Sequence, residues 1–134
     1  SKMDNIQIDL DLGDITMYEC NPGKINQLVL NLIDNAIYAA KKNNSETNNG
    51  AIKIKTSSTE KSIILSVSDN GIGIPKEDIP KLFDPFFTTK DVGEGTGLGL
   101  SIARGILDSH NAEVEVESTM NVGTEIIISF PLKK

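Results

Sequence analysis

The sequence is poor in the residues that mark several classes of protein. Its 134 residues include one cysteine, no tryptophan and only 4% aromatic residues. Because a single cysteine, Cys20, cannot form an internal disulfide, the chain does not resemble the small disulfide-stapled domains of secreted proteins. No apolar run approaches the ~18 residues of a membrane-spanning helix, and the opening SKMDNIQIDL holds no apolar signal core. We therefore expect a cytoplasmic domain, which is compatible with a membrane-anchored parent protein.

Basic residues are also scarce. The chain carries 13 basic against 19 acidic residues, for a formal net charge of −6 and an isoelectric point of about 4.7. Because such a surface repels phosphodiester backbones and anionic lipids, we expect no nucleic-acid partner and no membrane contact by this domain. The hydrophobic fraction of 38% is that of a globular protein. The length suits one domain over residues 1–134.

The first half of the chain contains the strongest helical pattern. Alternating apolar residues over 6–20 predict two short strands or a hairpin. Asn21 and Pro22 then suit the N-cap and first position of a helix. Apolar residues at three-and-four spacing predict that this helix continues to about Lys42 with one buried stripe. The stripe consists of Ile25, Leu28, Val29, Leu32, Ile33, Ala36, Ile37 and Ala40.

The rest of the chain alternates between hairpins and helices. Residues 51–69 and 112–131 each predict an antiparallel hairpin, the second turning at Asn121-Val122-Gly123. Residues 76–83 suit a short helix or turn, and an apolar helix is predicted from Leu98 to about Ser109. This order of elements favours helices packed on one face of a mixed sheet.

A polar ridge accompanies the apolar stripe of the first helix. At 100° per residue, Lys24, Asn31, Asn35, Tyr38 and Lys42 fall between about 220° and 280° from Ile25. A solvated helix face explains such a ridge in most proteins. However, asparagine disfavours helix interiors, and its amide oxygen is a hard ligand that suits Mg²⁺. The two asparagines are therefore candidate site residues.

Two glycine-rich segments are further candidates. DNGIGIP (69–75) follows an apolar strand, and its glycines allow a sharp turn and a close approach to a ligand. GEGTGLGLS (93–101) leads into a helix, where exposed N–H groups favour a phosphate. A plain turn and a plain flexible loop are the alternatives. The second segment matches neither the Walker nor the Rossmann spacing.

Four segments in this order resemble the catalytic ATP-binding domain of sensor histidine kinases. NLIDNAIYAA resembles the N box of that family, DNGIGIP the G1 box, FDPFFTTK the F box and GEGTGLGLS the G2 box. The resemblance covers nearly the whole chain. It implies the Bergerat-type ATP-binding fold shared with gyrase and Hsp90-type ATPases. This is an α/β (α+β) two-layer sandwich, with a mixed, mainly antiparallel sheet packed against about three helices.

The resemblance also implies roles for the matching residues. Asn35 would coordinate Mg²⁺ on the ATP phosphates, Asn31 would support the phosphate region, and Lys90 would join them as a catalytic residue. Asp69 would accept a hydrogen bond from the adenine amino group. The implied nucleotide-binding residues are Asn31, Asn35, Tyr38, Lys42, Asp69, Gly71, Gly73, Ile74, Thr88, Thr89, Lys90, Gly95, Thr96, Gly97, Leu98, Gly99 and Thr124.

The chain departs from the family pattern after the metal-binding asparagine. Many members carry a lysine and a ring residue where this sequence has Tyr38 and Ala39. Lys42 and Lys90 are then the candidates for neutralising the phosphates. The only histidine, His110, suits the end of a helix rather than the role of phosphoacceptor. In this family the phosphoaccepting histidine lies on a separate dimerisation domain.

The implied function is that of a histidine kinase in two-component signal transduction. The domain would bind Mg·ATP and donate the γ-phosphoryl group to a histidine on the dimerisation domain, upstream of a response regulator. The alternatives are a stand-alone ATPase of the same fold and a non-enzymatic nucleotide-binding module. The related ATPases carry a glutamate base where this chain has Asn31, which cannot accept a proton at neutral pH. We also expect residues 84–96 to form a mobile lid.

Overall fold

Five strands form one mixed sheet, and helices cover one of its faces. The computed structural model describes residues 6–13, 20–43, 50–84 and 99–132. Within these ranges there are two α-helices and one 3₁₀ helix, in agreement with the predicted α/β sandwich. In chain order the elements are β1 (Ile6–Leu12), α1 (Pro22–Asn43), β2 (Gly50–Ser58), β3 (Ser62–Asp69), the 3₁₀ helix (Lys76–Lys81), α2 (Gly99–Ser109), β4 (Glu113–Thr119) and β5 (Gly123–Pro131).

The strand order brings the end of β3, the end of β4 and the start of β5 together at one end of the sheet. The order is β1-β2-β3-β5-β4, with β1 parallel to β2 and every other neighbouring pair antiparallel. Thr124 on β5 lies opposite Asp69 on β3 and opposite Ser118 on β4. Because directly paired residues project to the same face, these three side chains form a row on the helix side of the sheet.

Helix α1 begins and packs as its sequence predicts. The Asn21 side-chain oxygen accepts a hydrogen bond from the Lys24 N–H at 3.2 Å, which confirms the N-cap. Four residues of the apolar stripe are fully buried, and the other four are half-buried. The four buried ones are Leu28, Leu32, Ala36 and Ala40.

The core lies between the helices and the sheet. The apolar side chains of the two central hairpin strands face α1, and those of β5 complete the layer. Ala103, Ile106 and Leu107 of α2 are buried against the same cluster. The largest side chains with almost no exposed area are Leu28, Leu32, Ile52, Leu107 and Ile128.

Part of the apolar pattern remains exposed. On β1, Ile8, Leu10 and Leu12 are 46%, 62% and 61% exposed, because this edge strand lies beyond the cover of α1, which packs mainly over β2 and β3. On α2, Ile102, one of the apolar residues of the predicted helix, is 42% exposed. It lies about 100° around the helix from the stripe that faces the sheet. Among the described residues, no helix has the length and apolarity to cross a bilayer.

Two leucines of α1 allow a matched test of this packing. Leu32 is 1% exposed and Leu30 is 61% exposed on the same helix. We expect Leu32→Ala to lower the free energy of unfolding by about 2 to 5 kcal/mol, because it leaves a cavity in the core. Leu30→Ala should change it by no more than about 0.5 kcal/mol. Urea denaturation of both variants measures the difference, and equal losses would contradict the assigned helix face.

Candidate functional site

The loop after β3 passes directly beneath the C-terminal half of α1. The Ile72 N–H donates a hydrogen bond to the Ala39 carbonyl oxygen at 3.2 Å. A Cβ on Gly71 would lie 2.5 Å from the Ala39 carbonyl carbon and 2.6 Å from the Ala39 Cβ. Any side chain at position 71 would therefore push the loop away from the helix, and glycine permits the contact.

The other side of the same loop is fastened to the turn between β4 and β5. Gly73 has a φ of +81°, and a Cβ there would lie 2.5 Å from the Thr119 carbonyl oxygen. The Asn121 N–H donates to the Ile72 carbonyl oxygen at 2.8 Å, and the Ile74 N–H donates to Ser118 Oγ at 2.8 Å. The predicted role of these glycines toward a base stays a prediction, but the packing alone explains why glycine is needed.

Asp69 is held at the end of β3, where this loop begins. Its Oδ1 accepts the Gly71 N–H at 2.8 Å, and the Thr124 backbone N–H also donates to the carboxylate. Burial raises the pKa of Asp69 to about 6, although these two hydrogen bonds lower it. The group is therefore mostly ionised at pH 7 and has lone pairs left for a further donor.

The polar ridge of α1 reaches the same region. Asn31 and Asn35 are half-buried, and Asn35 lies one helical turn before Ala39, which contacts the loop. Further along, the Lys42 Nζ lies 5.6 Å from the centroid of the Tyr38 ring, within reach of a cation–π interaction. The ridge thus presents two half-buried amides and the exposed Lys42 ammonium group on the helix that packs against the loop.

Several predicted site residues fall outside the described ranges. These are Thr88, Thr89, Lys90, Gly95, Thr96, Gly97 and Leu98, and Gly99 is described only as the first residue of α2. The predicted lid at 84–96 also lies outside, except for Asp84. The structure does describe the attachment before it. The Arg104 guanidinium carbon of α2 lies 5.7 Å from the centroid of the Phe83 ring, and Leu82 is buried.

His110 occupies the helix-end position that the sequence favours. Its Nδ1 lies 2.9 Å from the Ile106 carbonyl oxygen, and its Nε2 accepts the Asn21 N–H at 3.3 Å. Because a carbonyl oxygen can only accept, the proton is on Nδ1. The ring thus connects the end of α2 to the N-cap of α1, and the sequence pattern contained no signal for that connection.

Comparison with known proteins identifies the family. A family described as histidine kinase-, DNA gyrase B- and HSP90-like ATPase matches residues 20–134. The chain belongs to this ATPase family.

Sporulation kinase E of Bacillus subtilis is 33% identical over 135 residues, covering 100% of this chain and 17% of the relative. Sensor histidine kinase WalK of the same organism is 34% identical over 140 residues, covering 100% of this chain and 22% of WalK. The chain therefore spans about a fifth of the length of these relatives.

Solved structures give the same result for the fold. The nucleotide-free catalytic domain of histidine kinase ThkA superposes with a TM-score of 0.80 at 35% identity. The match covers 97% of this chain and 82% of that one. This ATPase domain is thus of the histidine kinase type, in agreement with the four sequence boxes.

The raised pKa of Asp69 predicts how stability varies with pH. The folded domain holds the carboxyl proton more tightly than the unfolded chain does. The free energy of unfolding should therefore fall as the pH rises from 3.8 to about 6. Asp69→Asn should remove the contribution of this carboxyl to that decrease in the free energy of unfolding. Carbon-13 NMR titration of the wild-type carboxyl should show its midpoint near pH 6.

The control for this prediction is Asp9→Asn, which alters an exposed carboxylate on β1. It should keep the wild-type dependence on pH. A wild-type Asp69 midpoint near 4, or an unchanged pH profile in Asp69→Asn, would contradict the buried environment assigned to this group.

Proposed function

We propose that the chain is the catalytic domain of a sensor histidine kinase, which binds Mg·ATP and donates the γ-phosphoryl group to a histidine on a separate dimerisation domain. The observation that carries this proposal is the placement of Asp69. The loop after it packs between α1 and the β4–β5 turn, and two backbone N–H groups orient its carboxylate. A response regulator would receive the phosphoryl group in the next step.

Adenine recognition follows from the chemistry of this carboxylate. The exocyclic amino group of adenine donates hydrogen bonds, and an ionised carboxylate only accepts them. Guanine presents an oxygen at the same position of its ring, which an anionic acceptor repels. Thr124, paired with Asp69 across the sheet, would contact the same side of the base. Gly71, Gly73 and Ile74 would complete the base-binding loop.

The asparagine ridge of α1 fits the phosphate end of the nucleotide. Mg²⁺ prefers oxygen ligands and commonly binds through one or two protein groups together with the substrate phosphates. The half-buried Asn35 amide supplies such an oxygen, and Asn31 lies one turn before it. Mg²⁺ would neutralise charge on the transferring phosphoryl group. The proposed cationic residues are Lys90 and Lys42, which has Tyr38 beside it. Two further segments would close over the phosphates: the F-box residues Thr88 and Thr89, and the G2-box residues Gly95, Thr96, Gly97, Leu98 and Gly99.

The residue at position 31 favours a kinase over a stand-alone ATPase. Hydrolysis of ATP is helped by a base that activates water, and the Asn31 amide has no basic site at neutral pH. Phosphoryl transfer to a histidine needs mainly positioning and charge neutralisation, because the imidazole is itself the nucleophile. The relatives named as sensor histidine kinases support the same choice.

The first test concerns the base. Asp69→Ala should weaken ATP binding about ten- to a hundredfold, because it leaves a buried donor unpaired. Asp69→Asn is sharper, since an amide can present either an oxygen or an NH₂ group. In free-energy terms, this variant should narrow the preference for ATP over GTP by more than it lowers the stability of the fold. Isothermal titration calorimetry with both nucleotides measures this, and unchanged selectivity would reduce Asp69 to a turn residue.

The second test concerns the metal. Asn35→Ala should lower Mg²⁺-dependent ATP affinity about 10- to 100-fold while the domain stays folded, because the side chain lies outside the buried stripe. The matched control is Asn26→Ala, which removes an exposed asparagine from the same helix. Titrations of each variant with ATP, in the presence and absence of Mg²⁺, separate a loss of metal-dependent affinity from a general loss of ATP binding. If Asn35→Ala binds Mg·ATP as the wild type does, the metal ligand is another group.

The third test concerns the reaction. Incubated alone with γ-labelled ATP, the chain should retain no covalent label, because His110 is engaged at both ring nitrogens. Addition of a histidine-bearing dimerisation domain should produce acid-labile label on that domain. Label on the isolated chain that disappears in His110→Ala would overturn the assignment. Rapid release of phosphate without any acceptor would favour the stand-alone ATPase.

A further inference from the structure

A serine that no sequence motif singles out lies at the centre of the hydrogen bonds around the base-binding loop. Ser118 Oγ accepts the Ile74 N–H at 2.8 Å, donates to the Gly123 carbonyl oxygen at 3.1 Å and lies 2.8 Å from Thr124 Oγ1. Its partners belong to two segments, the loop after β3 (Ile74) and the start of β5 (Gly123 and Thr124). One hydroxyl on β4 thus links three segments that surround the proposed adenine site.

The direction of the Thr124 hydroxyl follows from counting donors and acceptors. Ser118 has one hydroxyl hydrogen, and its three contacts can all be hydrogen bonds only if that hydrogen goes to the Gly123 carbonyl oxygen, which cannot donate. The Ile74 N–H then occupies one lone pair of Ser118 Oγ. The short contact between the two hydroxyls can be a hydrogen bond only if Thr124 donates to the second lone pair.

This arrangement leaves Thr124 Oγ1 as an acceptor. Thr124 is 7% exposed and lies between Ser118 and Asp69 in the row across β4, β5 and β3. With its hydrogen turned toward Ser118, Thr124 Oγ1 keeps lone pairs that can accept a hydrogen from a ligand beside the carboxylate. The amino group of adenine carries two hydrogens, and the two neighbouring acceptors match them, directly or through a bridging water.

We propose that Ser118 is a positioning residue, which fixes the Thr124 hydroxyl with its lone pairs toward the nucleotide and thereby sharpens selection for a base with an amino group. This inference rests on the proposed ATP-binding function. Without the Ser118 oxygen, the Thr124 hydroxyl could rotate and donate its hydrogen instead. A base with an oxygen at the same position would then meet one donor and one acceptor rather than two acceptors.

The test compares ATP with inosine triphosphate, which carries an oxygen in place of the amino group. In Ser118→Ala we expect the ratio of the two affinities to fall about five- to tenfold. Ser118→Thr, which keeps the hydroxyl, should restore the ratio. Ser129→Ala, which removes a hydroxyl from the opposite face of β5, is the matched control and should leave the ratio unchanged.

A double-mutant cycle separates positioning from a general structural effect. Thr124→Val removes the hydroxyl on which Ser118 acts, so Ser118→Ala should have no further effect on the ratio in that background. Additive effects of the two substitutions, or an unchanged ratio in Ser118→Ala, would overturn the inference while leaving the proposed function intact. A wild-type chain that binds no ATP would overturn both.

One measurement does not depend on the variants folding. NMR of the wild-type chain should detect a slowly exchanging Thr124 hydroxyl hydrogen with a nuclear Overhauser contact to the Ser118 β protons. A hydroxyl hydrogen that exchanges freely, or that points away from Ser118, would also overturn the inference.

Discussion

The close packing of the 70–75 loop between α1 and the β4–β5 turn is the constraint on which the candidate site depends. Gly71 lies against Ala39 on one side, and Gly73 lies against Thr119 on the other. A Cβ on Gly123 would likewise collide with the Asp69 carbonyl oxygen. Because backbone meets backbone at these points, the loop has little freedom. The Asp69 carboxylate is therefore held in place before any ligand arrives, which limits the conformational cost of binding.

Helix α1 serves the core and the candidate site at once. Its buried stripe, which includes Leu28 and Leu32, attaches it to the sheet, while the asparagine ridge stays half-buried along another side. The cap at Asn21 and the histidine bridge from the end of α2 hold the start of the helix. The end of the helix is held by the loop under Ala39. With both ends held, the asparagines are placed by the same packing that stabilises the fold.

The electrostatics of the chain set a requirement for its proposed ligand. A domain with a net charge of −6 offers no general attraction for ATP, so the charge of the phosphates has to be met locally. A bound cation, a nearby ammonium group such as Lys42, and the N-terminus of α2 are the local sources that the chain offers. At the other end of the nucleotide, burial makes the Asp69 carboxylate costly to ionise. An incoming hydrogen-bond donor stabilises this charge, and this favours a base with an amino group.

The sequence by itself determined most of the elements and their order. Three-and-four spacing predicted α1 and its buried side, and alternating strands separated by short turns predicted both hairpins, because these patterns depend on neighbours close along the chain. It also singled out Asp69 and the asparagine ridge as candidate site residues. The tertiary structure decided three other features: the parallel pairing of β1, the exposure of Ile8 and Leu10 on that edge strand, and the hydroxyl network of Ser118. Each depends on strand order and register, which bring together residues distant in sequence, and local periodicity carries no information about such contacts.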